Sequence, residues 1–217
     1  MRIAALLTML IGMTAQAAVI DFEEFDAGDV VKELYLSGVN ITVNSTLVQG
    51  LPSAMVFDTL NPTGNDWDLA GPFSDVRGGA DLIVGNVLII SEDQDASDPD
   101  DRARGGFFEF NFDVPVTLED VAVFDINRKK GIKITLFGEQ GEIATIYNDY
   151  IGPDNSFERV NLTRTGVVRA VFELKGSGAI GELAFSYNPP IPIPGSAIIF
   201  GTGLFAALFG SRLKPRP

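Results

Sequence analysis

Two segments of this chain carry side chains that could bind a metal ion. Residues 58–69 and 92–101 are rich in Asp, Asn and Glu, and six of the ten residues in the second segment are acidic. Carboxylate and carbonyl oxygens are the donors that hard cations such as Ca²⁺ prefer. The candidate metal ligands are Asp58, Asn61, Asp66, Asp68, Glu92, Asp93, Asp95, Asp98, Asp100 and Asp101.

Each segment has an alternative explanation besides calcium binding. The spacing of residues 58–69 does not match an EF-hand loop. In residues 58–69 the Asp and Asn side chains could instead form Asx turns, and Gly64 would allow a tight backbone turn. In residues 92–101 the carboxylates could repel one another and leave a solvated, mobile loop. Arg102 and Arg104 offer that loop partial neutralisation.

Whether both segments serve one ion depends on the strands that precede them, residues 55–57 and 87–91. If these strands are antiparallel neighbours, Asp58 lies beside Asn86 and the two segments leave at opposite ends of the sheet. If they run parallel, the segments can meet. The sequence leaves both arrangements open.

Trp67 is the only tryptophan, and it lies between two Asp residues. An exposed ring could cover one face of a sugar while the flanking carboxylates accept its hydroxyl hydrogen bonds. The alternative is that the ring is buried and fixes the loop to the core. Trp67 is therefore the candidate ligand-binding residue.

The composition excludes several kinds of catalytic or metal site. The chain has no His and no Cys, so an ordinary zinc site and the His-dependent Ser or Cys nucleophiles are not expected. Adjacent carboxylates such as Glu23 and Glu24 give no support to a glycosidase, since neighbours on a strand face opposite ways. We predict no catalytic residue and no nucleotide cofactor, and therefore a protein that is not an enzyme.

The elements that would position these loops are strands. Apolar and polar residues alternate in residues 108–114, 132–136 and 168–175, which predicts half-buried strands. Further strands are expected at 19–22, 34–36, 39–43, 55–57, 87–91, 121–126, 143–150, 157–162 and 179–187. Many short strands at close spacing predict an all-β fold, a jelly-roll-like β-sandwich.

The last of these strands, residues 178–185, resembles the closing strand of carbohydrate-binding and lectin-like jelly rolls. In those proteins an Asp that ligates a structural calcium often stands at the position of Gly181. The resemblance implies the fold, but this chain lacks that ligand.

The two ends of the chain predict export. Arg2, the apolar residues 3–13 and the small residues Ala15 and Ala17 have the pattern of a signal peptide, residues 1–17. Residues 18–187 would form the extracytoplasmic domain. Residues 188–217 combine a Pro-rich stretch, an uncharged apolar segment (195–210, about 24 Å as a helix) and a basic tail, which predicts a single transmembrane helix with its domain outside the cytoplasm.

The segment that starts at Ile191, with the apolar stretch and the Arg/Lys tail, resembles the PEP-CTERM class of bacterial sorting signals, closest to its VPLPA-type variant. Ile193 stands where the Pro-Glu-Pro form has its acid. The resemblance implies a signal peptidase and an exosortase-type protease as partners, and final placement at the cell surface or outside the cell. The sorting residues would be Pro192, Pro194, Gly195 and Ser196.

All 29 acidic residues but only 12 of the 16 basic ones lie in residues 18–187, a formal charge of −17. Such a domain repels nucleic acid. The sequence favours a non-enzymatic surface protein that contacts extracellular polysaccharide or matrix, with calcium as the expected cofactor. The alternatives are a structural matrix component without a specific ligand and a polysaccharide-acting enzyme that uses Asp/Glu pairs.

Overall fold

A computed structural model describes residues 15–46, 53–126, 131–148 and 152–189. Those residues form strands and loops, with a short 3-10 helix at Trp67–Leu69. The strands are β1 (Gln16–Ile20), β2 (Glu33–Leu36), β3 (Val39–Thr46), β4 (Ala54–Asp58), β5 (Ser74–Asp75), β6 (Asn86–Ile90), β7 (Gly106–Phe124), β8 (Ile132–Gly138), β9 (Gly141–Asn148), β10 (Ser156–Leu174) and β11 (Ala179–Tyr187). The predicted all-β class is confirmed.

The two longest strands, β7 and β10, run through two layers and hydrogen-bond to each other in both. In the first layer their paired halves lie between β3 on one side and β8 on the other, with β2 and β9 at the edges. In the second layer their other halves lie beside β11, followed by β6 and β4. β1 also pairs with β11 in this layer, and β5 pairs with β10.

The main core lies between the two layers. One buried cluster includes Phe110 and Phe172 from the first layer and Leu88 and Val121 from the second. Apolar side chains that alternate along each strand meet there, as in other sheets packed face to face. The arrangement is consistent with a β-sandwich, and the jelly-roll form of that sandwich stays a prediction.

A second apolar cluster covers the outer face of the second layer. Met55 of β4 and Ile89 of β6 pack there against Leu69 and Phe73, which belong to the segment between these strands. Strands β4 and β6 are therefore buried on both faces, which explains why their sequences are continuously apolar instead of alternating. The segment 59–85 is fixed against the sheet by this packing.

Ala15–Tyr187 form one compact unit. Its first strand, β1, begins inside the predicted signal peptide, whose residues 1–14 lie outside the described residues. No helix in the described part of the chain is long and apolar enough to cross a membrane. The predicted transmembrane helix and the sorting residues Pro192, Pro194, Gly195 and Ser196 also lie outside the described residues.

Candidate functional site

The two acidic segments meet, although the strands that precede them are antiparallel. Asp58, at the end of β4, lies opposite Asn86, at the start of β6. The chain after Asp58 then turns back along the outer face of the second layer, where Leu69 is buried. Hydrogen bonds join the segments: Oγ1 of Thr63 donates to the Pro99 carbonyl at 2.7 Å, and the Gly64 N–H donates to Oδ1 of Asp98 at 2.7 Å.

Gly64 makes this close approach possible. Its φ is +60°, and a Cβ at this position would collide with Cβ of Asp100. Only a residue without a side chain fits both the backbone conformation and the space. The tight turn expected at Gly64 is therefore also the place where the two acidic segments touch.

Asp66 and Asp101 form the centre of the contact. The Asp101 N–H donates to Oδ2 of Asp66 at 2.5 Å. Oδ2 of Asp101 in turn accepts a hydrogen bond from the N–H of Gly178, just before β11. Asp101 is only 8% exposed, so its carboxyl group is held between the two segments and the last strand.

Asp125 joins the same site from a third part of the chain. It directly follows β7, has a φ of +49° and is 3% exposed. Its Oδ2 atom is buried and has no hydrogen-bond partner among the described residues. The sequence-based candidates did not include Asp125. The available signal was a lone acid directly after the buried apolar residues 121–124.

Burial and mutual repulsion raise the pKa values of these carboxyl groups. Desolvation is the largest cause in each case, and the neighbouring carboxylates add to it. The pKa rises to about 6 for Asp66, about 7 for Asp101 and about 8 for Asp125. The charge of Asp68 contributes to all three shifts. The pKa of Asp100 is raised as well, again mainly by desolvation.

These five residues, Asp66, Asp68, Asp100, Asp101 and Asp125, are called the acidic cluster below. Glu92 is exposed, and its charge raises the pKa of Asp66 and Asp100. Within the described ranges, no three or more acidic side chains are already arranged as a metal site. The structure thus brings four of the ten sequence-based metal candidates together with Asp125, and the calcium prediction stays a prediction.

Other sequence-based candidates bond locally. Oδ1 of Asp58 accepts the Leu60 N–H at 2.8 Å, and its Oδ2 accepts Nδ2 of Asn61 at 2.8 Å, which is the Asx-turn chemistry expected as the alternative. Oδ1 of Asp95 accepts the N–H and the hydroxyl of Ser97 at 2.9 and 2.6 Å, which lowers the pKa of Asp95.

The Asp93 side chain also bonds within its own turn, where Oδ1 accepts the Asp95 N–H at 2.8 Å. The Asp98 side chain, by contrast, reaches across to Gly64 in the other segment. The outer half of residues 92–101 is therefore shaped by turns, while its last residues enter the acidic cluster.

Trp67 lies on the surface beside the acidic cluster. Its side chain is 66% exposed, so the ring does not fill the core. The backbone beneath it is held by Asn155, whose Nδ2 donates to the Trp67 carbonyl at 3.1 Å and to the Ala70 carbonyl at 2.6 Å. The ring is therefore presented to solvent by a fixed backbone.

A separate groove of about 150 Å³ lies between β1, the turn after it and β2. Its lining is apolar except for Asp21 and Glu24. It offers fewer polar groups than the surface around Trp67, and we place the candidate site at Trp67 and the acidic cluster.

The chain matches no protein-family model and no curated protein. Among solved structures it is similar to a mutant of the lectin binding domain of Lectinolysin complexed with Lewis b, with 13% identity and a TM-score of 0.31, over 63% of this chain and 93% of that one. It is also similar to a Streptococcus pneumoniae fucose binding module, SpX-3, with 12% identity and a TM-score of 0.31, over 64% of this chain and 96% of that one. Similarity at this level establishes neither the fold nor a ligand.

Proposed function

We propose that this chain is an exported, surface-sorted and non-enzymatic protein whose jelly-roll-like domain contacts extracellular polysaccharide through the surface around Trp67. The observation that carries the proposal is the exposed Trp67 ring beside carboxylates. Sugars present apolar C–H faces and polar hydroxyl edges, and an aromatic ring next to hydrogen-bond acceptors matches both.

The fixed backbone beneath Trp67 supports this role. The two hydrogen bonds from Asn155 hold the loop before any ligand arrives. A preorganised surface loses less conformational entropy on binding, so more of the contact energy appears as affinity. Asp68 is adjacent in sequence, half-buried, and available to accept hydroxyl hydrogen bonds.

The negative charge of the domain disfavours anionic polysaccharides as ligands. A net charge of −17 in residues 18–187 repels anionic polymers at low ionic strength. The proposed ligand is therefore a neutral or cationic glycan, and nucleic acid is not a partner. Calcium belongs to the same proposal as the counter-ion of the acidic cluster.

A catalytic role is less favoured because the strongest candidate acids are buried. Asp101 and Asp125 have the highest pKa values of the acidic cluster, as a general acid would need. Both are buried, at 8% and 3% exposed, so the protein itself limits the access of a polysaccharide chain to them. We propose a binding protein and not a polysaccharide-acting enzyme.

The proposal also includes the route to the surface. Residues 1–17 would be removed on export, and residues 188–217 would hold the domain at the membrane until an exosortase-type protease cuts near Gly195. The final location would be the cell surface or the medium. These steps rest on the sequence patterns alone.

Tryptophan fluorescence gives a direct test, since Trp67 is the only tryptophan in the chain. The full chain, purified in detergent, is titrated with neutral and anionic bacterial polysaccharides. We expect the fluorescence of the wild type to change saturably with a neutral polysaccharide. In a pull-down, the Trp67→Phe variant should bind the same polysaccharide more weakly than the wild type. Tyr35→Phe is the matched control because Tyr35 is also an exposed aromatic residue, 69% exposed, but lies on β2.

Two results would count against the proposal. Equal polysaccharide affinity of the Trp67→Phe and Tyr35→Phe variants would show that the ligand binds at another surface. Self-association without binding to any polysaccharide would favour the structural matrix component instead.

A further inference from the structure

The acidic cluster brings five carboxyl groups together without a basic partner. They come from three separate parts of the chain, and the described residues include no ion pair between them and a Lys or Arg. The pairs found there involve other acids, such as Glu158 with Arg77 and Asp120 with Arg159. The cluster therefore concentrates negative charge at a partly dehydrated place, which is electrostatically unfavourable.

Glu158 shows how this fold neutralises a buried acid elsewhere. It is 3% exposed, like Asp125. Its Oε1 accepts a hydrogen bond from Nε of Arg77 at 2.9 Å, and its Oε2 accepts Nδ2 of Asn148 at 2.6 Å. Both oxygens of this buried carboxylate have partners, as is the rule for buried polar groups.

Asp125 and Asp100 break that rule. Oδ2 of Asp125 and Oδ1 of Asp100 are buried, and neither has a hydrogen-bond partner in the described part of the chain. Gly178, whose N–H binds the Asp101 carboxylate, also lies against the Asp125 backbone, and the charges that act most strongly on Asp125 are those of Asp68 and Asp101. An unpartnered carboxylate oxygen in this position requires either a proton or a cation.

We propose that the acidic cluster binds one divalent, oxygen-preferring cation, with Ca²⁺ as the best fit, through Asp125, Asp101 and the Asp66–Asp68 segment. The donors are all oxygens, and the chain has no His or Cys to favour a softer metal. Ca²⁺ accepts irregular sets of six to eight oxygens that include backbone carbonyls and water, whereas Mg²⁺ requires near-ideal octahedral geometry. The described ranges contain no ready-made group of three ligands, so the proposal requires the carboxylates to move closer together when the ion binds.

The same ion would stabilise the surface that carries Trp67. The backbone N–H of Asn155 faces the Asp125 carboxyl group and moderates the rise in its pKa. The Asn155 side chain bonds to the Trp67 carbonyl. Asp66 and Asp68, on either side of Trp67, belong to the cluster itself. Cation binding and glycan binding are thus coupled through Asn155 and the short helix, and this coupling rests on the function proposed above.

The test uses the full chain in detergent, stripped of metal with a chelator. Thermal unfolding and Trp67 fluorescence are followed during titration with CaCl₂, with MgCl₂ and with NaCl at matched ionic strength. We expect a saturable response to CaCl₂, with a Kd of about 0.1–1 mM as in extracellular calcium modules. At ten times the Kd, the melting temperature should rise by about 3–6 °C.

The decisive variant is Asp125→Asn. Asn has the same shape and accepts a positive φ, so the backbone at φ +49° is preserved, while one ligand charge is lost. We expect this variant to melt higher than the wild type in chelator, because folding no longer requires either a proton or a buried charge at this position, and to lose most of the calcium response. Asp81→Asn is the control: Asp81 is exposed in the segment before β6 and should leave the response unchanged.

Three outcomes would overturn the inference. These are the absence of a saturable calcium response, an equal response to NaCl at the same ionic strength, and a wild-type calcium response in Asp125→Asn. If the cluster holds only protons, the first of these is observed. Calcium binding without any glycan binding would leave the cation site standing and reject the proposed function, so the two failures are distinguishable.

Discussion

The backbone N–H of Asp101 donates a 2.5 Å hydrogen bond to Oδ2 of Asp66, 35 residues earlier in the chain, and this bond links the two acidic segments. It forms because residues after β4 run back over the outer face of the second layer. The bond brings negative charge together instead of separating it, which is unusual unless the charge is neutralised by protons or by an ion. The predictions below follow from this arrangement.

Replacing the Trp67 side chain should weaken glycan binding without unfolding the protein. The ring is mostly exposed, so Trp67→Ala removes little buried surface and should change the unfolding free energy by less than about 0.5 kcal/mol. Loss of an aromatic contact with a sugar should reduce affinity at least about tenfold, or ~1.4 kcal/mol. A polysaccharide pull-down measures the affinity, and urea unfolding measures the stability. A large loss of stability would show that the ring packs against the fold.

Gly64→Ala should destabilise the contact between the acidic segments. Alanine is strained at φ +60°, and its Cβ would collide with Asp100. We expect a loss of more than about 1 kcal/mol in unfolding free energy. Gly78→Ala separates the two effects, because Gly78 also has a positive φ, +79°, but has no atom within 4 Å of an added Cβ. Equal losses in the two variants would mean that the approach to Asp100 is not a constraint.

The strands were largely predictable from the sequence, because a half-buried strand alternates apolar and polar residues and a fully buried strand is continuously apolar. The expected strands at residues 55–57 and 87–91 correspond to β4 and β6, and the paired segments 132–136 and 143–150 correspond to the β8–β9 hairpin. The sequence predicted two separate strands in the region of β7 (108–114 and 121–126) and two in the region of β10 (157–162 and 168–175). In the structure each pair forms one continuous strand. Pro115 lies inside β7 where the pairing with β10 is interrupted, between Asn111 and Val116, so its missing N–H costs no bond to that strand.

The candidate site was predictable only in part. The abundance of Asp in residues 58–69 and 92–101 is visible in the sequence, but their contact is not, because it depends on the path of a long segment across a sheet. The antiparallel pairing of β4 and β6 would even have suggested that the segments lie apart. Asp125 was missed because a single acid after a strand resembles any turn residue, and only the fold brings it to the cluster.

Removing the Asn155 side chain should loosen the loop beneath Trp67. Asn155→Gly leaves the backbone unstrained at φ +58°, because Gly accepts a positive φ, but it deletes two hydrogen bonds to loop carbonyls. We expect a loss of about 1–3 kcal/mol in unfolding free energy and weaker glycan binding. Asn65→Gly is the matched control, since Asn65 has a φ of +63° and an exposed side chain. A similar loss in both variants would assign the effect to glycine itself and not to the lost bonds.

Export should shorten the chain at a defined place. Cleavage after Ala17 leaves Ala18 as the first residue, and three pairs between β1 and β11 remain, from Ala18–Phe185 to Ile20–Leu183. We expect mass spectrometry of the chain recovered outside the cytoplasm to show this new N-terminus. Ala17→Leu should block processing, because the protease requires a small residue there. Recovery of the mature domain with Met1 still attached would contradict the signal peptide.

Without divalent cations, stability should decrease as the pH rises from about 5 to about 8. The chain has no His and no Cys, so the raised carboxyl groups and the α-amino group are the main groups that titrate in this range. The pKa is about 6 for Asp66, about 7 for Asp101 and about 8 for Asp125, against an ordinary value of 3.8. Between these values the folded chain keeps protons that the unfolded chain has already released. The stability is therefore fully present below the ordinary value, falls as the pH rises from that value to each raised value, and does not fall further above it.

Urea unfolding in chelator across this pH range measures the effect. Each buried group adds a slope of up to about 1.4 kcal/mol per pH unit between the ordinary carboxyl pKa and its own folded pKa, and none above the folded pKa, where both states are ionised. Because Asn does not ionise, Asp125→Asn should remove the slope between about pH 7 and 8 and leave a smaller slope below pH 7 that belongs to Asp101 and Asp66. Saturating calcium should flatten the slope in the wild type, since the ion replaces the protons. A flat profile in chelator would mean that the cluster is already neutralised by residues of the chain itself, and it would remove the electrostatic reason for a bound ion.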